Sequence, residues 1–126
     1  MVEEKIPDDP KEKFEYYRQK AENGVAIHQY NLGVCYSEGL GTEKDEREAL
    51  KWFRKAAEQN IGEAQYNLGV EYWNGIHVRR DVEKAKEWFR KAAKNGIREA
   101  AEIMQEEFNE TIIVIPRPKD YYSEDL

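Results

Sequence analysis

The side chains of widest chemical reach in this sequence are His28, His77 and Cys35, set among helix-borne tyrosines, tryptophans and carboxylates. The two histidines are remote from each other along the chain, and no spacing of further His, Cys, Asp or Glu supplies the rest of a ligand set. With no glycine-rich phosphate loop, no HExxH and no CxxC, neither a metal nor a cofactor is expected. A reactive thiol needs a cationic neighbourhood, and nothing beside Cys35 supplies one; Cys35 stands 36 residues before Glu71, its counterpart in the repeat described below, so it reads as a partly exposed, plain free thiol. The many glutamates lie on helix faces as solvated surface. No catalytic residue is expected, and the chain reads as a non-enzyme.

What remains is recognition by surface. Fitted to a helix, residues 62–74 carry two apolar stripes. Ala64, Leu68 and Tyr72, four apart, should face a partner helix. Tyr66, Val70 and Trp73, at i, i+4 and i+7, occupy a different face. The corresponding second stripe upstream is Tyr30, Val34 and Ser37, beside Ile27.

The elements that must carry these stripes follow from an internal repeat. Sliding the chain by 36 residues aligns 25–60 with 61–96, with 16 identical positions. They fall in two blocks, Gln29 to Val34 against Gln65 to Val70 and Trp52 to Ala57 against Trp88 to Ala93, together with Tyr36/Tyr72, Gly39/Gly75, Asp45/Asp81 and Ala49/Ala85. Each repeat reads as two helices. In the later one, Val82, Ala85, Trp88, Phe89, Ala92 and Ala93 recur at helical spacing with charged residues between them. Asp45 and Asp81 are placed as N-caps, with Glu48 three residues after the first. Asn60 and Gly96 end second helices, and Gly39 and Gly75 end first helices. Half repeats flank the pair: Asp9-Pro10 opens a helix through Phe14, Tyr17 and Ala21 to Gly24, and 97–109 matches a first helix with a glutamate-rich face suited to capping. The expected organisation is an arm at 1–8, a solenoid at 9–109 and a non-helical tail at 110–126.

The motif carried by Ala64, Leu68, Gly69, Tyr72, Gly75, Asp81, Ala85, Trp88, Ala92 and Ala93 resembles the Sel-1-like repeat, a relative of the tetratricopeptide repeat. The resemblance implies an all-α fold, an α/α solenoid in which helix pairs stack into a right-handed superhelix, and a role as an adaptor in protein complexes. It also implies that the first-helix stripe, Tyr30, Val34, Tyr66, Val70 and Trp73, lines a concave groove for an extended peptide or partner helix. Three positions depart from the motif: His28 stands at the first alanine, His77 at the second loop glycine and Asn60 at the repeat-ending glycine. Asn31 and Asn67 fall where some tetratricopeptide domains clamp a terminal carboxylate. Their neighbours here are Tyr and Val rather than cations, so a neutral, apolar or basic ligand fits better.

Composition narrows the partner. The 126 residues carry a net charge of −6 and a mean hydropathy of −0.97. That balance disfavours nucleic acid and anionic membrane, leaving a protein or peptide. No apolar run approaches a membrane span, the first ten residues have no secretory apolar core, and a single cysteine fits a reducing, cytoplasmic setting. The function expected is a non-enzymatic adaptor or scaffold; the alternative is an inhibitor or immunity-type protein that blocks one enzyme or toxin. In the tail, Ile112, Ile113, Val114 and Ile115 form an apolar β-branched strip before Pro116. The strip either packs on the last helix or enters the groove, its own or a neighbour's, as a competitor for ligand or a self-association link. The terminal Ser123, Glu124, Asp125 and Leu126 make a poor retrieval signal, with Asp125 where Glu is expected.

Overall fold

Three of the six helices begin at an aspartate cap, and the chain turns left-handed just beyond each helix. In the computed structural model, which describes residues 5–118, they are α1 (Pro10–Glu22), α2 (Ala26–Glu38), α3 (Glu46–Glu58), α4 (Gly62–Asn74), α5 (Val82–Lys94) and α6 (Arg98–Phe108). Each packs mainly on its neighbours in sequence, as in a solenoid, and the described residues form no strand. The carboxylates of Asp9, Asp45 and Asp81 accept the backbone N–H of Glu12, Glu48 and Lys84 at 3.0–3.1 Å, capping α1, α3 and α5.

The other three helices start without a side-chain cap, at Val25, Ile61 and Ile97. These residues instead close the preceding helix: their N–H groups donate to the carbonyls of Lys20, Ala56 and Ala92, across Gly24, Asn60 and Gly96. Asn60 and Gly96 have φ of 72° and 92°, the left-handed geometry that residue type made legible. Ile61 and Ile97 then tuck into the core. The terminal Ser123, Glu124, Asp125 and Leu126 lie outside the described residues.

The core runs along the stack as linked clusters. Leu32, Leu68 and Met104, one from each of α2, α4 and α6, are wholly buried, as are Ala56, Ala92 and Phe89 to within 1%. The ring of Phe53 lies directly on Gly33, and that of Phe89 on Gly69; a Cβ at either glycine would stand 2.6 Å from the ring. Close approach therefore offsets the roughly 1 kcal/mol that a mid-helix glycine costs. His28, bulky where the motif has alanine, is housed by α1: its ring stacks on Tyr17 and meets Tyr16 edge-on, both at 5.3 Å, and its Nδ1 is 3.2 Å from the Asn31 amide.

Cys35 corrects an expectation. Equivalence with Glu71 in the repeat predicted partial exposure, yet Cys35 is buried with Phe14, Leu32 and Trp52. Phe14 of α1 belongs to the same cluster, whereas one repeat later the equivalent Leu50 and Glu71 border an open cavity. Burial pushes the thiol's pKa up, so it behaves as a small core hydrophobe.

Candidate functional site

Between α2 and α4 the solenoid leaves a cavity of about 430 Å³, with α3 as its floor. Tyr30, Val34, Ser37 and Glu38 of α2 form one wall, and Tyr66, Asn67, Val70 and Glu71 of α4 the other. Glu46, Ala49, Leu50 and Phe53 of α3 lie beneath. Helical spacing aims Tyr30 and Val34 at this space from one side and Tyr66 and Val70 from the other. The tyrosines are braced from below: the Tyr30 ring lies 5.7 Å from Phe53 and the Tyr66 ring 5.9 Å from Phe89.

The charged side chains lining this cavity are the carboxylates of Glu38, Glu46 and Glu71. Glu71 is held in place by His77, whose backbone N–H donates to it at 2.9 Å and whose ring Nδ1 sits 2.6 Å away. The negative field reaches Tyr30, whose phenol pKa is raised first by burial and then by the carboxylates of Glu63 and Glu38. Tyr30, Tyr66 and Asn67 also line a second cavity of about 630 Å³, closed by Glu63, Gly96, Ile97, Arg98, Glu99 and Arg117. The two spaces share a wall and together make a groove.

Four of the five expected anchors, Tyr30, Val34, Tyr66 and Val70, therefore meet in one place. Trp73 lies outside it: its ring contacts Phe108 edge-on at 5.9 Å, the Arg80 guanidinium sits 5.3 Å from its centre, and Arg80 Nε donates to its carbonyl. The strip after α6 divides by residue. Ile112 packs on the α4–α6 core, Val114 is half-buried, and Ile113 and Ile115 are 83% and 70% exposed. Among the described residues no group of three or more His, Cys, Asp or Glu is arranged to hold a metal ion.

Two features escaped the sequence reading. The floor residues Leu50 and Phe53 belong to a second helix, whereas the anchors were sought on first helices alone; the signal available was that Leu50 is replaced by Lys86 one repeat later. The other is a polar ladder at the repeat boundaries. Gln29 and Gln65 donate to the carbonyls of Ala21 and Ala57, each eight residues back. Gln59 then donates to Gln29, and Asn95 to Gln65, both at 2.8 Å. Buried amides so satisfied fix the stacking register of the repeats, and with it the width of the groove.

The description "Sel1 repeat" matches residues 29–61 and 62–97. The chain is similar to the crystal structure of a Sel1 repeat protein from Oxalobacter formigenes, at 38% identity and a TM-score of 0.74 over 81% of this chain and 42% of that one. It is also similar to a protective antigen present in uropathogenic Escherichia coli strains that displays an SLR fold, at 36% identity and a TM-score of 0.71, covering 80% of this chain and 22% of that one. The chain thus spans less than half the length of either structure. No curated protein matches it.

Proposed function

The chain belongs to the Sel1-repeat family, whose repeats generally mediate protein–protein interaction and are typically non-catalytic, and from that premise we propose that it is a non-enzymatic adaptor that seats a partner protein in the groove between α2 and α4. The observation that carries this reading is the convergence of Tyr30, Val34, Tyr66 and Val70 over the α3 floor, rimmed by Glu38, Glu46 and Glu71. Rigid aromatic anchors in a cleft are the usual source of interface affinity. The carboxylate rim selects against acidic partners and favours a basic or neutral segment, laid extended or as a helix along the concave face. Trp73, beside the cavity rather than in it, would flank the bound segment. No described helix is long and apolar enough to cross a membrane.

The test is partner affinity after Tyr66→Ala and Trp73→Ala, with the helical circular-dichroism spectrum as control. Tyr66→Ala should cost about 2 kcal/mol, the range of an interface anchor, and Trp73→Ala less. Unchanged affinity of both folded variants would move the site off this face.

A further inference from the structure

Beyond Asn109 the chain turns back along α6. The Glu110 N–H donates to the Met104 carbonyl, and the Glu110 carboxylate receives two 2.8 Å hydrogen bonds from Arg90. The Thr111 hydroxyl donates to the Gln105 side chain. From there the chain alternates, Ile112 and Val114 inward, Ile113 and Ile115 outward, until Arg117 reaches α4. Arg117 Nη2 donates to Glu63 Oε1 at 2.5 Å, with the two side chains only 26% and 30% exposed. Its methylene stem lies on the bare backbone of Gly96, where a Cβ would stand 3.1 Å from Cγ, Cδ and Nε. A Cβ at Gly24, the same position of an earlier repeat, would meet nothing within 4 Å. Positive φ accounts for the glycine at both positions, and at 96 the bare backbone is in addition the surface on which the Arg117 stem lies.

Resting on the groove reading above, we propose that Arg117, carried by residues 110–118, is an intramolecular occupant of one end of the groove, and that Glu63, Gly96 and Tyr66 form a subsite for an arginine in an extended segment of a protein partner, which displaces Arg117. Three observations bear on the occupant. The acidic side chains lining the two cavities outnumber the basic ones: Glu38, Glu46, Glu71, Glu63 and Glu99 against Arg98 and Arg117 itself. The contact also uses a flat guanidinium with its stem on a glycine backbone, a geometry that lysine matches poorly. Pro116 and Pro118 restrict the segment that carries Arg117, lowering the entropy cost of seating it. A partner must compete with this tethered copy, whose effective concentration is about millimolar for a short link.

The test uses the full chain and, as probe, a synthetic peptide of residues 110–118, titrated calorimetrically. The Arg117→Ala chain should bind the peptide about tenfold more tightly than the unaltered chain, the scale of one lost hydrogen bond between charged groups. A peptide carrying Arg117→Ala should show no such gain, and adding Glu63→Gln to the Arg117→Ala chain should abolish it. Both positions are partly exposed, and circular dichroism checks that the variants stay helical. Equal peptide affinity for the two chains, or binding indifferent to the peptide's arginine, overturns the proposal. If the peptide fails while Tyr66→Ala still weakens the natural partner, the arginine subsite falls and the groove reading stands. If the peptide behaves as expected while Tyr66→Ala leaves the partner untouched, the hold of Arg117 on Glu63 stands, but the groove reading falls and the partner subsite falls with it.

Discussion

The central junction, α2–α3–α4, and the C-terminal junction, α4–α5–α6, are built on the same backbone plan from helices with many identical residues. At the central one, Ser37, Leu50, Asn67 and Tyr66 border an open cavity. One repeat later the corresponding positions are Trp73, Lys86, Ile103 and Glu102. There Trp73 meets Phe108, the Lys86 ammonium lies 5.3 Å from the centre of the Phe108 ring, and Ile103 and Ile112 pack on the core around Phe89 and Met104. Identical residues set the helix stacking; the unlike residues decide whether a junction presents a groove or seals an end.

The two glycines under the phenylalanine rings probe that difference most sharply. Gly69→Ala drives a methyl group into Phe89, which is 1% exposed and enclosed, whereas Gly33→Ala drives one into Phe53, which borders the cavity and has room to shift. Overpacking costs about 1–3 kcal/mol, against roughly 1 kcal/mol regained from helix propensity. Thermal or urea unfolding should therefore show Gly69→Ala clearly destabilised and Gly33→Ala close to neutral; equal losses would mean that the central junction is as tightly packed as its neighbour.

Ser37→Trp should make the central junction resemble the C-terminal one, placing an indole where Trp73 sits a repeat later. It should lower partner affinity about tenfold while leaving the helical spectrum intact, since a bulky group then occupies the space that an anchor would need. Retained affinity would show that the cavity is not where the partner sits.

The smallest effect concerns how the C-terminal junction is closed. The hydrogen bond from Arg90 holds the Glu110 carboxyl below its ordinary pKa, opposed in part by desolvation. A carboxylate with a lowered folded-state pKa contributes stability that is complete above its unfolded pKa and is lost as pH falls through the folded value. Amide exchange around Thr111 and Ile112 should thus be insensitive to pH near neutrality and accelerate, beyond the intrinsic pH trend, only on acidification past the usual carboxylate range. Glu110→Gln should remove that extra dependence.

How much of this was legible from the chain depends on the range of the signal. Caps at Asp9, Asp45 and Asp81, and left-handed turns at Gly39, Gly75, Asn60 and Gly96, are local and were readable residue by residue. The stripe of Tyr30, Val34, Tyr66 and Val70 was readable from helical spacing, and a groove along it was implied by the resemblance to the repeat family. The floor was not, since Leu50 and Phe53 enter only once a third helix is placed between the walls. Cys35 misled because repeat equivalence assumes equivalent neighbours, and α1 covers it with Phe14. The Arg117–Glu63 contact spans 54 residues and has no local signature at all. The Sel1 motif specified the scaffold, and its identical Tyr30/Tyr66 and Val34/Val70 face the cavity; the positions where the two copies disagree, such as Ser37 against Trp73, separate the open junction from the closed one.

The most direct test is photo-cross-linking from two places on the full chain, with a benzophenone side chain at Ser37 in the groove or at Glu87 on the exposed face of α5. The partner should cross-link from position 37 and not from position 87. Cross-linking from 87 alone would contradict the assignment of the α2–α4 groove as the binding face.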